Sequence, residues 1–206
     1  MKKFELTAEF VTNVFGKKLF RIKALVAFGN VEKGELGGFI EKEDNLSHDG
    51  DAWVSGNAQV SGNARVCGDA RVCGNARVCG DAQVCGDARV CGNARVCGNA
   101  QVSGNAQVYG NAQVFGNAQV FGNADYAVVA GFGRYFRTTT FFRCKDKILR
   151  VQCGCFYGDL AQFREIVKKT HGDSKYAKEY LAIADLMELH FSDKCGGEQM
   201  NDGKIY

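Results

Sequence analysis

Six cysteines recur at every sixth position, and their regular spacing makes them the first candidates in the chain for disulfide formation or metal binding. They are Cys67, Cys73, Cys79, Cys85, Cys91 and Cys97. Thiols in a regular row can form disulfides or hold a metal ion. Serine fills the same slot in other units, so the position accepts small, replaceable side chains. Because stacked side chains should keep their Cβ atoms farther apart than a relaxed disulfide prefers, we expect free thiols without a metal or redox role.

A second group of potential ligands lies nearer the C-terminus. Cys144, Cys153, Cys155 and His171 supply the atom types of a zinc site. One residue separates Cys153 from Cys155, whereas zinc-binding pairs usually have two, and Cys144 has no fixed relation to them. We therefore expect structural roles for these side chains, and no metal or cofactor.

Basic and aromatic side chains offer a third kind of chemistry, the binding of an anionic partner. One set comprises Arg134, Arg137, Arg143, Lys145, Lys147 and Arg150, and Tyr135, Phe136, Phe141 and Phe142 interleave with it. This composition is typical of a nucleic-acid or acidic-partner surface, and equally of an amphipathic hairpin with a solvated face. A second set comprises Arg65, Arg71, Arg77, Arg89 and Arg95.

The second set is positioned by a repeat. Twelve consecutive hexapeptides run from residue 50 to residue 121, each reading Gly-(Asn/Asp)-Ala-x-Val-x. Ala-x-Val-x alternates as a strand does, with Ala and Val inward, and Gly-(Asn/Asp) suits a corner. Aspartate occupies the corner position in four units; Asp51, Asp69 and Asp87 are three units apart, whereas Asp81 is not, and this spacing favours three hexapeptides per coil. The pattern predicts an all-β solenoid, a triangular β-helix of four coils.

Stacking every third unit sorts the side chains before each Val into three columns. They are Trp53, Arg71, Arg89 and Gln107; Gln59, Arg77, Arg95 and Gln113; and Arg65, Gln83, Gln101 and Gln119. After Val, the last coil carries Tyr109, Phe115 and Phe121, which either pack against C-terminal elements or form a protein interface. A tube filled by Ala and Val leaves no room for a ligand, so binding must use the outer faces, the ends or a contact between chains.

The flanking sequences should cap the solenoid, whose ends would otherwise expose unpaired strand edges. We assign residues 1–49 to an N-terminal cap with an irregular first coil, 50–124 to the β-helix, and 125–206 to a small α+β region. The last comprises a β-hairpin (138–144 and 148–153) and two helices (160–169 and 175–190), followed by a loose tail at 195–206. Leu46, one repeat length before Ala52, indicates that the repeat begins degenerately.

Composition and the N-terminal sequence predict the cellular location of the protein. No apolar run is long enough to cross a bilayer, so we expect no membrane span, and the N-terminus lacks the apolar core of a secretion signal. Ten cysteines without a secretion signal predict the reducing cytoplasm of a bacterial host.

The repeat resembles the hexapeptide-repeat, left-handed β-helix superfamily. Its best known members are trimeric acyltransferases, which use a histidine base at a cleft between subunits and a loop that interrupts the coils. The repeats here contain neither, since the three histidines are His48, His171 and His190. We therefore predict that the protein is not an enzyme, and we keep a transferase as the second alternative.

The ends resemble small β-helical phage and prophage proteins of Gram-positive bacteria. The resemblance lies in residues 34–41, 45–48, 139–143, 153–156 and 170–181. A phage origin implies a candidate role as an inhibitor of a host defence nuclease, such as an anti-CRISPR protein. We expect a non-catalytic binding protein that engages a protein, or a protein–nucleic-acid complex, through its outer faces. The alternative function is a self-assembling scaffold, and the sequence leaves open whether the protein forms a homo-oligomer. Direct binding of nucleic acid is less favourable because Asp69 and Asp87 lie beside Arg71 and Arg89.

Overall fold

A computed structural model describes residues 1–192 of the chain. The predicted loose tail at 195–206 therefore lies outside the described residues. None of the helices within residues 1–192 is long and apolar enough to cross a membrane.

Three strands form the N-terminal cap: β1 Phe4–Thr12, β2 Lys18–Ala24 and β3 Leu36–Ile40. They pair antiparallel in that order, and β3 then pairs parallel with a strand of the solenoid, Phe39 lying opposite Gln59. β2 is therefore the central strand of this cap. Because one sheet runs through cap and solenoid, the N-terminal coil has no free edge on that face.

Each hexapeptide contributes one short strand. The strands are β4 Trp53–Val54, β5 Gln59–Val60, β6 Arg65–Val66, β7 Arg71–Val72, β8 Arg77–Val78, β9 Gln83–Val84, β10 Arg89–Val90, β11 Arg95–Val96, β12 Gln101–Val102, β13 Gln107–Val108, β14 Gln113–Val114 and β15 Gln119–Val120.

Strands three positions apart in sequence are neighbours in space. The three parallel sheets run in the order β4-β7-β10-β13, β5-β8-β11-β14 and β6-β9-β12-β15. Val90, for example, pairs with Val72 and Val108, its counterparts in the preceding and following coils. Every repeat Ala and Val is at most 1% exposed. The all-β solenoid with three hexapeptides per coil is confirmed, with four regular coils and one irregular coil before them.

Glycine is required at the corners because consecutive coils approach closely there. Gly98 has φ of +77°, and a Cβ at this position would lie 3.1 Å from the backbone nitrogen of Gly116. Only glycine accepts both the left-handed backbone and the close contact without strain. The repeat glycine therefore fixes the coil spacing.

The irregular first coil is closed by buried polar groups. A 3-10 turn at Glu43–Asn45 places the buried Asn45 amide against the next coil, where it donates to the carbonyl oxygens of Gly62 at 3.1 Å and Ala64 at 2.8 Å. Leu46 forms a parallel bridge to Val66, so it enters the Val column and not the Ala column that its spacing from Ala52 predicts. The 3-10 turn shifts the register.

Trp53 departs from the outward orientation predicted for its column. It is 2% exposed, and its ring meets Phe28 edge-to-face with a centroid distance of 5.4 Å. A Cβ on Gly37 would lie 2.7 Å from the indole ring, so Gly37 makes room for it. The N-terminal cap folds over this face of the first regular coil and converts an outer position into core.

The C-terminal region is a four-stranded antiparallel sheet covered by two helices. After a 3-10 turn at Asn123–Asp125 come β16 Tyr126–Phe132, β17 Arg137–Arg143, β18 Leu149–Cys153, β19 Phe156–Asp159, α1 Leu160–His171 and α2 Lys175–Phe191. The hairpin β17–β18 and both helices are confirmed; β16 and β19 extend the hairpin into a larger sheet. Asp159 and Ser174 cap the two helices, accepting from the N–H groups of Gln162 and Ala177.

This region closes the far end of the solenoid through hydrogen bonds to the last coil. The N–H of Gln113 donates to Thr140 Oγ1 at 3.0 Å, and the N–H of Gln107 donates to Asn123 Oδ1 at 2.9 Å. Phe142 is fully buried against the end of the Ala–Val core. The solenoid is thus capped at both ends by its own chain.

Candidate functional site

The six repeat cysteines are paired, which corrects the prediction of free thiols. The disulfides are Cys67–Cys85, Cys73–Cys91 and Cys79–Cys97, each joining neighbouring coils. Their Cα atoms are 4.7 Å apart, inside the range that disulfides use. The prediction considered only the parallel alignment of the Cα–Cβ bonds, whereas rotation about those bonds turns the two sulfurs toward each other.

This pairing changes the reasoning about cellular location. Disulfides persist mainly in oxidising compartments. The prediction of a reducing cytoplasm assumed that the cysteines are free thiols, but six of the ten cysteines form disulfides. Cytoplasmic location therefore stays a prediction with weaker support.

The five repeat arginines lie in the columns that the three-unit period predicts. Arg71 pairs in register with Arg89, and Arg77 with Arg95, on two different faces. Arg71 is half-buried and the other four are exposed. None of the five makes an ion pair with a carboxylate in the part of the chain that the structure describes.

The corner residues that precede Arg77 and Arg95 carry no charge. The corner column on this side consists of asparagines, and each of the first three donates to the amide oxygen of the next: Asn57, Asn75, Asn93 and Asn111. The column of Arg77 and Arg95 itself otherwise holds Gln59 and Gln113. Asp81, at the following corner, accepts a hydrogen bond from Asn63. We call the surface of these glutamine, arginine and asparagine columns the Arg77/Arg95 face.

The corners that precede the other stacked pair, Arg71 and Arg89, carry Asp69 and Asp87. Arg71 has Asp51 nearby, since both side chains come within 3.2 Å of where a Gly29 Cβ would lie. Arg65 shares a groove with Glu43 and Asp49. The Arg77/Arg95 pair is therefore the one best placed to accept an external anion.

The aromatic residues of the last coil border the C-terminal region without being buried by it. Tyr109 is 41% exposed and Phe121 49%, while Phe115 is half-buried. Tyr109 donates to the side-chain oxygen of Gln107 and lines a shallow groove with Tyr126. Packing against C-terminal elements thus explains only part of this set, and Tyr109 and Phe121 stay accessible.

The basic residues between 134 and 150 do not form one surface. Arg150 makes an ion pair with Asp146 at 2.7 Å, which holds the pKa of that carboxyl below its usual value. Arg143 lies 3.8 Å from Asp125 and donates to the carbonyl oxygen of Phe191. Lys145 and Lys147 are exposed beside these pairs, and the two aromatics Phe141 and Phe142 are buried.

Arg134 and Arg137 lie at the opposite end of the sheet, at the turn between β16 and β17. Their guanidinium carbons are 5.6 and 5.0 Å from the ring centroid of Tyr135. Both arginines and Tyr135 line a cavity of about 210 Å³ whose other side is formed by α1 and α2. The aromatic wall of this cavity contains Phe156 and Phe163, neither of which was among the residues predicted to bind a partner.

Cys144 lies apart from the other three residues of the hypothetical zinc site. Cys144 is buried at the solenoid end, where burial raises the pKa of its thiol. Cys153 lies opposite Thr139, at the other end of the β17–β18 hairpin. Cys153, Cys155 and His171 line the cavity described above. Within residues 1–192, no three His, Cys, Asp or Glu side chains are placed to hold a metal ion.

The three histidines occupy unrelated environments. His48 stacks on Phe4 in the N-terminal cap and accepts from the N–H of Lys3 through Nδ1. His171 is the last residue of α1, and His190 stands beside Phe191 near the end of α2.

The repeats match the YdcK beta solenoid repeat family. Six overlapping segments match: 58–71, 70–86, 82–98, 88–104, 100–116 and 106–122. The match covers less than half of the chain, and no curated protein matches it. Together with the three parallel sheets, the match supports a β-solenoid repeat protein. It names neither the hexapeptide superfamily nor a phage protein, so those resemblances stay predictions.

Proposed function

We propose that this β-solenoid repeat protein is a non-catalytic binding protein that engages a macromolecular partner through its outer faces. The observation that carries the proposal is the Arg77/Arg95 pair. Two like charges face each other in register beside a column of asparagines, and no described carboxylate makes an ion pair with either.

Electrostatics favours an anionic partner at this face. Like charges directly opposite each other on a sheet are destabilising, and parallel strands are only about 4.8 Å apart. Gln59 and Gln113 occupy the same column, so a neutral side chain fits the position equally well. An arginine pair that costs stability in the free protein becomes favourable when a carboxylate or phosphate lies across both guanidinium groups.

A protein that handles nucleic acid fits this surface better than nucleic acid alone. The net charge of the chain is only +3, whereas proteins that bind DNA directly present larger basic patches. The likeness of the ends to phage and prophage proteins supports a partner in a host defence system, such as a CRISPR nuclease, met in the bacterial cytoplasm. In this role the protein is an inhibitor that acts by occupying a surface.

The interior supports a role without catalysis. Ala and Val fill the tube, and the buried polar side chains of the described residues all lie outside the repeats. Capping at both ends argues against a filament built end to end, although side-by-side assembly is an outcome that the experiment can detect.

The test compares two matched double variants of the tagged protein. R77Q/R95Q removes the proposed contact, and R71Q/R89Q removes the same charge from the neighbouring face. Each protein is used for affinity capture from bacterial lysate, with and without nuclease, followed by quantitative mass spectrometry. We expect one nucleic-acid-handling protein to be retained after nuclease treatment and to fall at least tenfold with R77Q/R95Q but not with R71Q/R89Q.

Equal retention by both variants would refute the assignment of this face. Capture of the protein itself and nothing else would favour the scaffold alternative. Because Gln already occupies the same positions in neighbouring coils, both variants should melt within a few degrees of the wild type.

A further inference from the structure

The cavity between the C-terminal sheet and its helices has the features of a binding site for a small molecule. It is open to solvent on one side and has a volume of about 210 Å³, below the 300–1,000 Å³ that is usual for drug-sized ligands. Phe156, Phe163, Ile166 and Val167 form its apolar wall. A single ring with one acidic substituent matches a cavity of this size.

The aromatic wall is held in place by ring contacts behind it. Phe163 meets Tyr180 edge-to-face at 5.8 Å between ring centroids, and Phe156 at 5.5 Å. Tyr180 also donates to the carbonyl oxygen of Phe132, at 3.5 Å. Burial raises the pKa of Tyr180 to about 12, so its hydroxyl keeps the proton that it donates. A wall fixed in this way is formed before any ligand arrives.

The rim carries two guanidinium groups without a charged partner. Among the described side chains, neither Arg134 nor Arg137 makes an ion pair or a side-chain hydrogen bond; each flanks the Tyr135 ring. The other arginines of the C-terminal region differ in this respect. Arg143, Arg150 and Arg164 each have a carboxylate within 3.8 Å.

The turn that carries these arginines is held in a costly conformation. Phe136 has φ of +50°, a region that aromatic residues rarely adopt, and its ring is 72% exposed. Glu179 accepts from the N–H of Gly133, which ties the turn to α2. Arg137 covers Gly154, where a Cβ would clash with the guanidinium group. These contacts hold the turn with Arg134 and Arg137 at the mouth of the cavity.

From this geometry we infer a binding site for a small aromatic anion, with its ring against Phe156 and Phe163 and its carboxylate or phosphate between Arg134 and Arg137. Guanidinium groups bind both kinds of acid through paired hydrogen bonds. The site is separate from the Arg77/Arg95 face, and either can exist without the other.

Simple probes test the two halves of the ligand separately. Benzoate and phenyl phosphate carry a ring and an acid; acetate and inorganic phosphate lack the ring; benzyl alcohol lacks the charge. Affinities are measured by calorimetry on the full chain at one ionic strength. We expect at least one aromatic anion to bind ten times more tightly than its ringless counterpart and than benzyl alcohol. Whichever of benzoate and phenyl phosphate binds more tightly shows whether the site prefers a carboxylate or a phosphate.

Variants locate the binding. R134Q and R137Q should each weaken the affinity at least fivefold, and R137K should recover part of the loss because it restores the charge without the paired donors. R164Q is the matched control, since Arg164 lies in α1 but pairs with Asp185 and Glu188 outside the cavity. The aromatic anion should also slow alkylation of the exposed Cys155 by iodoacetamide, read by peptide mass spectrometry.

The inference is overturned by any of three results. Aromatic anions that bind no better than acetate or phosphate would remove the role of the wall. Loss of affinity in R164Q equal to that in R134Q would indicate attraction by net charge alone. Binding that leaves the alkylation rate of Cys155 unchanged would place the ligand elsewhere.

Discussion

Reduction of the three disulfides should lower the melting temperature of the solenoid substantially. Each crosslink joins cysteines at a sequence separation of 18, in adjacent coils. In the chain-entropy account, one loop of this length contributes about 3 kcal/mol. The three loops overlap along the chain, so the second and third closures restrict the unfolded chain less than the first. We therefore expect a combined contribution of roughly 6 kcal/mol, or about 12 to 24 °C for a protein of this size.

The position of the crosslinks indicates where reduction acts. The second regular coil is joined once to the first and twice to the third, while the last coil has no crosslink. In a solenoid, each coil is stabilised mainly by its immediate neighbours. Loss of the crosslinks should therefore loosen the middle of the tube, which otherwise has only thin Ala–Val layers.

The assay combines thermal melting by circular dichroism with thiol titration, before and after reduction. Six additional thiols should titrate after treatment with a reductant, and the melting curve should shift downward. A variant with all six repeat cysteines changed to serine should melt like the reduced wild type and ignore the reductant, since Ser55, Ser61 and Ser103 already occupy this slot. If all six thiols titrate in the untreated protein, or if the curves coincide after six more have appeared, the reasoning is wrong.

Three further substitutions test the core and the first coil, each by chemical denaturation. Val84→Ala removes two buried methyl groups and should cost about 2 kcal/mol, whereas the exposed Gln83→Ala on the same strand should cost under about 0.5 kcal/mol. Asn45→Ala leaves two carbonyl oxygens without a donor and should cost about 2 kcal/mol. Glu41→Gln weakens the bond to the N–H of Gly62 and should cost about 1 kcal/mol near neutral pH. Hydrogen bonds from Lys17 and from the N–H of Gly62 lower the pKa of Glu41 below its usual 4.5. The stability difference should therefore persist above pH 4.5 and vanish as the pH falls through the lowered pKa.

The repeat could be derived from sequence because its determinants are local. Glycine at each corner, and Ala and Val at alternate positions, fix the same backbone in every unit. The spacing of Asp51, Asp69 and Asp87 supports three units per coil, although Asp81 lies outside that spacing. Trp53 and the disulfides were missed because each depends on something beyond the unit. Trp53 is buried by Phe28 and the strand around Gly37, which belong to the cap, and the sulfurs meet through a choice of rotamer that the period does not specify.

The helices show a different limit of periodicity. Tyr176, Tyr180 and Leu186 follow helical spacing along α2, yet Tyr176 is 37% exposed and Leu186 57%, while Tyr180 is buried. The apolar periodicity of a helix predicts which face is turned toward the core, but the elements packed against that face determine how much of it is buried. The same reason hides the cavity, whose wall comes from β19, α1 and α2 together.

The separation of the basic residues follows from register, and it decides which of them can act. Arg134 and Arg150 lie within one basic stretch of the sequence, but β17 carries the chain across the sheet between them, so they reach opposite ends. At one end a carboxylate lies beside each arginine, and there the composition describes ordinary ion pairs on a solvated face. At the other end the carboxylate of Glu179 is engaged by the N–H of Gly133 and by Lys175, which leaves both guanidinium groups free for a ligand. The positions of the carboxylates in three dimensions therefore decide whether the arginines of a basic and aromatic stretch are already paired or are left unpaired, and both arrangements occur here within one sheet.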